Sequence, residues 1–554
     1  MIKKSAACFW LFMSLFFLFA PQLFAQRGNA KKGASPFSPD MQKLQIAQLA
    51  IRTLYVDSVD EKKITEEAIK AMLATLDPHS TYTPPKETKA LNEPLEGNFD
   101  GIGIQFNMAD DTLFVVQTIV DGPSERVGIL AGDRIIKAAG RTIAGQKLPN
   151  DSILSILRGP KGSKIQLEVL RRGEPGLLSF TVTRDKIPVF SVDASYMADP
   201  TTGYVRISRF AKTTHDEFLQ ACRELKEKGM KDLILDLADN GGGFLGAAVQ
   251  MADEFLDEKQ LIVYTEGRAF PRQDYFATGK GTLRDGRLVV LVNDFSASAA
   301  EILSGAVQDW DRGVIVGRKT FGKGLVQYPV NLPDGSMIRL TSAKYYTPAG
   351  RCIQKPYKKG ERSAYNDELK ERIEHGELQH ADSIHFADSL KCYTHLLHRT
   401  VYGGGGIMPD VFIPIDTAWA TPLYRRLSAR GLLIKWALHY TEAHRDALHK
   451  EYPTFEDFNE RFRIPDEAME QLKTLAEENK IEWNEEQIAA SLSTAQTQFK
   501  ALVARNLWGV SQYFQIINTL NDPYVRGLSI LHDGTYEQIL SPGGQQAQAS
   551  GTQP

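Results

Sequence analysis

Two side chains in this sequence are typed for acyl transfer without a metal. Ser298 lies in Asn293-Asp-Phe-Ser-Ala-Ser-Ala-Ala-Glu301, just after the apolar run Leu288–Val292, at a strand-to-helix turn. Lys323 follows between two glycines in Phe321-Gly-Lys-Gly-Leu325. A serine hydroxyl attacks a carbonyl once a base takes its proton, and a lysine is such a base when its amine is neutral. Neutrality near pH 7 requires a shift of roughly 3 units from about 10.4, or about 4 kcal/mol. Burial beside Phe321 and Leu325 would push in that direction. Gln327 could orient the amine without adding charge, whereas a carboxylate there would raise the lysine pKa.

Each residue also has a plainer reading. Ser298-Ala-Ala-Glu301 matches a capping box, which satisfies the free amides of a helix start. Lys323 reads equally as a surface turn lysine, and Gln327 as a polar strand residue. The catalytic reading uses the same geometry as the cap, because helix N-terminal amides and their partial positive charge stabilise an oxyanion. The Ala299 N–H would then face the attacked carbonyl. Asn240-Gly-Gly-Gly243 could supply a second donor from Gly243, or be an ordinary turn. No P-loop lysine follows it, which disfavours phosphate.

The elements that must position these groups alternate from about Ile187 to Pro414. Asp232–Leu237 and Leu288–Val292 read as buried strands, Ala247–Leu256 and Glu301–Gln308 as helices, and Val314–Val316 and Leu325–Val330 as further strands. Thr214-His-Asp-Glu217 reads as a capping box opening another helix. This alternation predicts a mostly parallel sheet. Helical spacing over Met41–Leu54 and Ile64–Leu76 predicts a small helical N-terminal unit. Short strands and glycine turns fill 97–185. The polar stretch Lys355–Thr400 reads as an insertion; its histidines 375, 380, 385, 395 and 398 lack metal-ligand spacing and read as solvated surface. Helical patterning returns from Trp419 to Leu520, and 541–554 reads as a disordered tail.

Across 554 residues, 42% are hydrophobic and 24% charged, with net charge −3. Several domains are expected, and no basic excess points to nucleic acid. Lys3 and Lys4, an apolar run over Ala6–Ala20 and a cleavage site near Ala25 read as a signal peptide. Export to the periplasm follows, with membrane association left open. Cys222, Cys352 and Cys392 form no disulfide framework; Cys352 and Cys392 could pair in an oxidising compartment, and free thiols are the preferred reading.

The ordered motifs resemble the C-terminal processing (tail-specific) proteases, Ser/Lys peptidases of the S41 class. They are Leu76-Asp-Pro-His-Ser-Thr-Tyr82, Gly101-Ile-Gly-Ile104, Gly128-Ile-Leu-Ala-Gly-Asp-Arg-Ile-Ile136 and Leu157-Arg-Gly-Pro-Lys-Gly162. Asp236-Leu-Ala-Asp-Asn-Gly-Gly-Gly243, the Ser298 and Lys323 motifs, Tyr345-Tyr-Thr-Pro-Ala-Gly-Arg351 and Gly406-Ile-Met-Pro-Asp410 complete the series. The resemblance implies Ser298 as nucleophile, Lys323 as base, Gln327 orienting the lysine, and Ala299 and Gly243 as oxyanion donors. It implies a ClpP/crotonase-like α/β core interrupted by a PDZ domain. The chain departs from the pattern at Ala238, Gly241 and Ala300, none of which would supply a catalytic group.

The expected organisation is a signal peptide (1–25), a helical region (26–96), a PDZ domain (97–185), a protease core (186–415), a C-terminal helical region (416–540) and a tail. Gly101, Ile102, Gly103 and Ile104 would receive a peptide C-terminus through backbone amides, with the peptide adding as a strand. Arg158 resembles an arginine that senses such docking in relatives. The expected function is a secreted serine endopeptidase without metal or cofactor, acting on protein tails, with a homodimer or adaptor contact through the helical termini. A non-catalytic PDZ scaffold is the alternative, and a Ser-His-Asp protease a weaker rival, since His215 is the core's only histidine before the insertion.

Overall fold

The computed structural model describes residues 38–542. The expected signal peptide and nearly all of the expected tail lie outside the described residues. Two compact units divide at Ile69 and Lys70. In the first, helix Pro39–Leu54 begins at Ser38, whose hydroxyl accepts from Met41 N at 3.3 Å. Its apolar residues Leu44, Ile46 and Leu49 are exposed.

The second unit is built on a six-stranded sheet. Its order is Val192–Met197, Thr202–Ile207, Asp232–Asp236, Leu288–Val292, Val314–Gly317 and Val411–Phe412. The first pair is antiparallel and the rest are parallel. Every residue of the two central strands is buried, as continuous apolar runs require when both faces are covered. Helices Thr214–Glu227, Leu245–Asp253 and Ala299–Asp309 contribute to the main core with one face. The other face packs on Tyr524, Ile530, Tyr536 and Ile539. Those residues come from C-terminal helices Asp522–Ile530 and Thr535–Ile539. A Cβ on Gly527 would lie 3.1 Å from Leu291 and Val289 side chains, so this helix lies directly on the sheet. The C-terminal region thus completes the core of the six-stranded sheet, a role its local pattern did not disclose.

The capping box expected at Thr214 does not form. The helix starts at Thr214, but Glu217 turns to Ser191 N at 2.7 Å, Val192 N at 3.0 Å and the Thr213 hydroxyl at 2.5 Å. The neighbouring strand's amides compete successfully for its carboxylate.

A second sheet joins Thr81–Thr83, Met337–Tyr346, Leu261–Glu266 and Gln273–Phe276, with Leu325–Asn331 paired to Met337–Tyr346. It carries Gln327 and Arg339. The region expected to be a PDZ domain is a separate sheet, Ile104–Ala109 to Leu177–Thr183, with helices Pro123–Arg126 and Asn150–Leu157 and its own core. Its entry and exit pair as antiparallel strands, Asn98–Gly101 with Asp185–Pro188. Strand Ile104–Ala109 is an edge, paired only with Thr112–Thr118. Helices from Pro422 to Trp508 enclose a further core around Trp436 and Phe499.

The expected insertion is less surface-like than its composition implied. Its helix Arg362–Glu374 presents buried Arg372, which donates to Lys319 O at 2.9 Å. Buried Lys355 lies 4.2 Å from the Phe321 and Tyr365 rings and 2.7 Å from Glu368. The segment therefore packs against the loop that carries Lys323. Cys222, Cys352 and Cys392 are free thiols.

Candidate active site

Strand Leu288–Val292 delivers Ser298 to the start of helix Ala299–Asp309 with φ 55° and ψ −111°. A serine in this region is strained, and such strain persists only where neighbours over-determine it. Glu301 supplies much of that determination. It is fully buried and accepts from Ser298 N at 2.8 Å, Lys323 N at 2.9 Å, Gly322 N at 2.7 Å and the Thr320 hydroxyl at 2.5 Å. Burial raises its pKa, and these donors oppose the rise. Two donors on each oxygen is the pattern of an acceptor-only carboxylate. Tyr345, also fully buried, donates toward Ser298 O at 3.1 Å and Lys323 O at 2.6 Å. One acid and one phenol thus tie the serine and lysine backbones together.

The same cavity, about 650 Å³, is lined by Ser298, Ala299, Gly243, Lys323 and Gln327. All five expected site residues therefore converge. Burial, then the Arg339 charge, lowers the Lys323 pKa from its ordinary value, against the opposing effects of Glu301 and Asp77. Among the described residues no hydrogen bond or ion pair engages its ammonium. Gln327 Nε2 donates to Leu325 O at 3.1 Å.

The glycine turn is pinned by its own hydrogen bonds. Buried Asn240 donates to Ile207 O at 2.8 Å and accepts from Gly242 N at 2.8 Å, while its carbonyl accepts from Ala297 N at 2.9 Å. Phe210 N donates to Gly242 O and Phe244 N to Phe210 O, at 2.9 and 2.8 Å. Gly242 has φ 97°, and a Cβ there would stand 2.8 Å from Ser298 Cβ and 3.0 Å from Ala299 N. Gly243, at φ 150°, would drive a Cβ into the Phe210 backbone. Only glycine brings this turn so close to Ser298.

Ser296 is a structural neighbour: it is buried and donates to Leu237 O at 2.7 Å. His215 pairs with Glu254 at 2.9 Å. His79 is pushed down to about 4 by burial and then by the Lys323 charge, and its Nε2 lies 2.8 Å from the Tyr365 hydroxyl. Arg158 follows helix Asn150–Leu157; its guanidinium donates to Glu93 at 2.8 Å and lies 4.6 Å from the Phe99 ring. Glu93 belongs to helix Pro85–Glu96, whose Leu91, Asn92 and Leu95 line the cavity. Ile102 of the glycine loop is buried in that domain's core, and its carbonyl accepts from the Ser124 amide and hydroxyl. Glu301, Tyr345, Gly242 and Arg339 were missed as site-shaping residues in the sequence. The Glu301 signal was present, as the fourth residue of the apparent capping box.

Family models match at three sites that bear on this geometry: peptidase family S41 over residues 201–360, PDZ domain over 101–182, and the activating protease CtpB N-terminal domain over 13–88. A family of unknown function matches 423–509. The carboxy-terminal-processing protease of Bartonella bacilliformis is 38% identical over 309 residues, covering 55% of this chain and 70% of that protein. The carboxy-terminal processing protease CtpA of Bacillus subtilis is 36% identical over 326 residues, covering 59% and 69%. Among solved structures, the photosystem II D1 C-terminal processing protease aligns with 30% identity and a TM-score of 0.32, covering 57% of this chain and 90% of that one. The chain belongs to the S41 family of carboxy-terminal processing proteases. It is a serine-type peptidase with an S41 core, a PDZ domain and helical N- and C-terminal regions. No helix among the described residues is long and apolar enough to cross a membrane.

Proposed function

We propose that this protein is an exported endopeptidase that cleaves protein tails with Ser298 as nucleophile and Lys323 as general base. The carrying observation is that the strained Ser298 and the half-buried Lys323 line one cavity while sharing Glu301 as a backbone anchor. The neutral Lys323 amine takes the Ser298 hydroxyl proton as Oγ attacks the peptide carbonyl. The resulting oxyanion is held by the amides of Ala299 and Gly243. As the C–N bond breaks, Lys323 returns the proton to the leaving amine, forming an acyl-enzyme. Water, deprotonated by Lys323, then releases the new C-terminus and restores Ser298. Gln327 orients the amine once its side chain leaves Leu325 O.

The PDZ domain recruits the tail. Its free edge, Ile104–Ala109, fits strand addition, with Gly101–Ile104 at the carboxylate end. Arg158 carries docking to the cavity through Glu93. The amino-terminal sequence supports export to the periplasm, and the exposed apolar residues of Pro39–Leu54 support self-association.

Ser298→Ala and Lys323→Ala are each expected to lower peptide cleavage by at least about 10³-fold while leaving tail binding intact. Persistent cleavage by purified Ser298→Ala would refute the nucleophile assignment. Measuring export of a reporter fused to residues 1–26 tests localisation; retention in the cytoplasm would refute it.

A further inference from the structure

The cavity that holds Ser298 is lopsided in charge. Its lining contains the cations Lys323, Arg209 and Arg339 and no aspartate or glutamate. Arg339 lies on strand Met337–Tyr346, opposite Thr81 on one side and Pro329 on the other. Its Nε is buried without a partner, and no ion pair or hydrogen bond engages the guanidinium among the described residues. Three arginines of the sheet and its loops are matched by carboxylates: Arg318 with Asp294 at 2.8 Å, Arg206 with Asp236 at 2.7 Å, and Arg399 with Asp311 at 2.7 Å. Asp77, whose charge also reaches Lys323, is already filled by the Ser80 amide and hydroxyl and the Thr341 hydroxyl. Among the described residues the Arg209 guanidinium hydrogen-bonds only Phe190 O, at 3.4 Å, and its charge also reaches Asp193. An unmatched, half-buried guanidinium lining the cleft is a ready partner for a carboxylate, which it can bind through two parallel hydrogen bonds.

We propose that Arg339, with Arg209 as a second cation, forms a carboxylate-reading subsite of the cleavage cavity. The group read is an Asp or Glu side chain of the bound peptide or its free C-terminal carboxylate. This inference rests on the proposed function, because it takes the cavity as the place where peptide binds.

The test uses the exported chain and internally quenched peptides in which Glu replaces Gln one position at a time, each with a free or amidated C-terminus. At one position Glu is expected to raise kcat/KM about tenfold over Gln, the scale of a charge-assisted contact. Arg339→Gln should bring that ratio to about one, and Arg339→Lys should keep part of it. If the terminal carboxylate is the group read, amidation rather than Glu/Gln exchange will produce the Arg339-dependent loss. Ratios on one variant do not depend on how much of it folds. The inference is overturned if neither exchange has an effect that Arg339→Gln removes; an amidation effect that survives this substitution belongs to the PDZ domain. Cleavage by Ser298→Ala would instead sink the catalytic reading. The subsite would still be decided by equilibrium binding of the paired peptides, made with a non-cleavable amide isostere throughout, to the enzyme with and without Arg339→Gln, where the PDZ contribution cancels.

Discussion

Ser298 and Lys323 hang from a carboxylate that water never reaches, whereas the PDZ domain hangs from contacts that water does reach. Glu301 is 0% exposed and carries four hydrogen bonds. Arg158 and Glu93, the link between PDZ domain and cavity wall, have side chains 38% and 13% exposed. On its other side the PDZ domain meets helix Leu432–Glu451 through Lys435 and His439 on Asp110, at 2.5 and 3.0 Å, and through Arg172 on the Glu442 and Ala443 carbonyls. The apolar part of that contact is the small group Ala109, Phe114 and Leu438. Hydrogen bonds to a buried charge contribute about 1.5–3 kcal/mol each, and exposed ion pairs about 0–1 kcal/mol. The chemistry is therefore built on a frame too costly to rearrange. The PDZ domain is attached by contacts that cost less to rearrange, as small polar interdomain surfaces generally do.

Breaking the frame should have the largest effect. Glu301→Gln replaces an acceptor that receives four bonds with an amide whose NH2 faces donors. Its cleavage rate should fall at least about 10²-fold, and its unfolding free energy by about 3 kcal/mol or more, read by peptide kinetics and denaturant titration. A Glu301→Gln enzyme of normal rate would remove the contrast. Gly242→Ala comes next: a Cβ 2.8 Å from Ser298 Cβ at φ 97° should cost about 1–3 kcal/mol of strain. The rate should fall about 10-fold or more with KM for long tails little changed, as the proposed tail site lies in the PDZ domain.

The pH profile sharpens the electrostatic side of the frame. As the proposed base Lys323 would act in its neutral form, so kcat/KM should climb with pH along a limb below 10.5, displaced downward first by burial and then by Arg339. Arg339→Gln removes a repulsion felt only by the protonated amine, favours that form, and should move the limb upward. A limb that stays in place or moves down would mean that Arg339 does not act on Lys323. The smallest effect belongs to the PDZ link. Arg158→Ala should change stability by less than about 1 kcal/mol but weaken the dependence of rate on a free substrate tail. Unchanged tail dependence would assign Arg158 to structure alone.

Much of this site was legible locally. The strand-turn-helix chemistry around Ser298, the glycine-flanked Lys323 and the Asn240–Gly243 turn each carry short-range signals, and the structure brings them into one cavity. The parts that stayed hidden are long-range. Glu301 reads as half of a cap, because nothing local shows that its second oxygen reaches Thr320 and Gly322. The 355–400 segment reads as polar surface, because Lys355 and Arg372 become buried only when the Lys323 loop packs on them. Glu217 reads as a capping residue until Ser191 and Val192 arrive beside it.

Residue types and short spacings by themselves determined which groups could attack, which could accept a proton and where the backbone must turn without a Cβ. Tertiary structure alone decided whether those groups meet and in what surroundings. Burial lowers the Lys323 pKa, and partners distant in sequence hold Ser298 in a strained conformation. The same packing leaves Arg339 without a counter-ion among the described residues. Desolvation and charge pairing depend on what lies across the fold, and no local pattern encodes that.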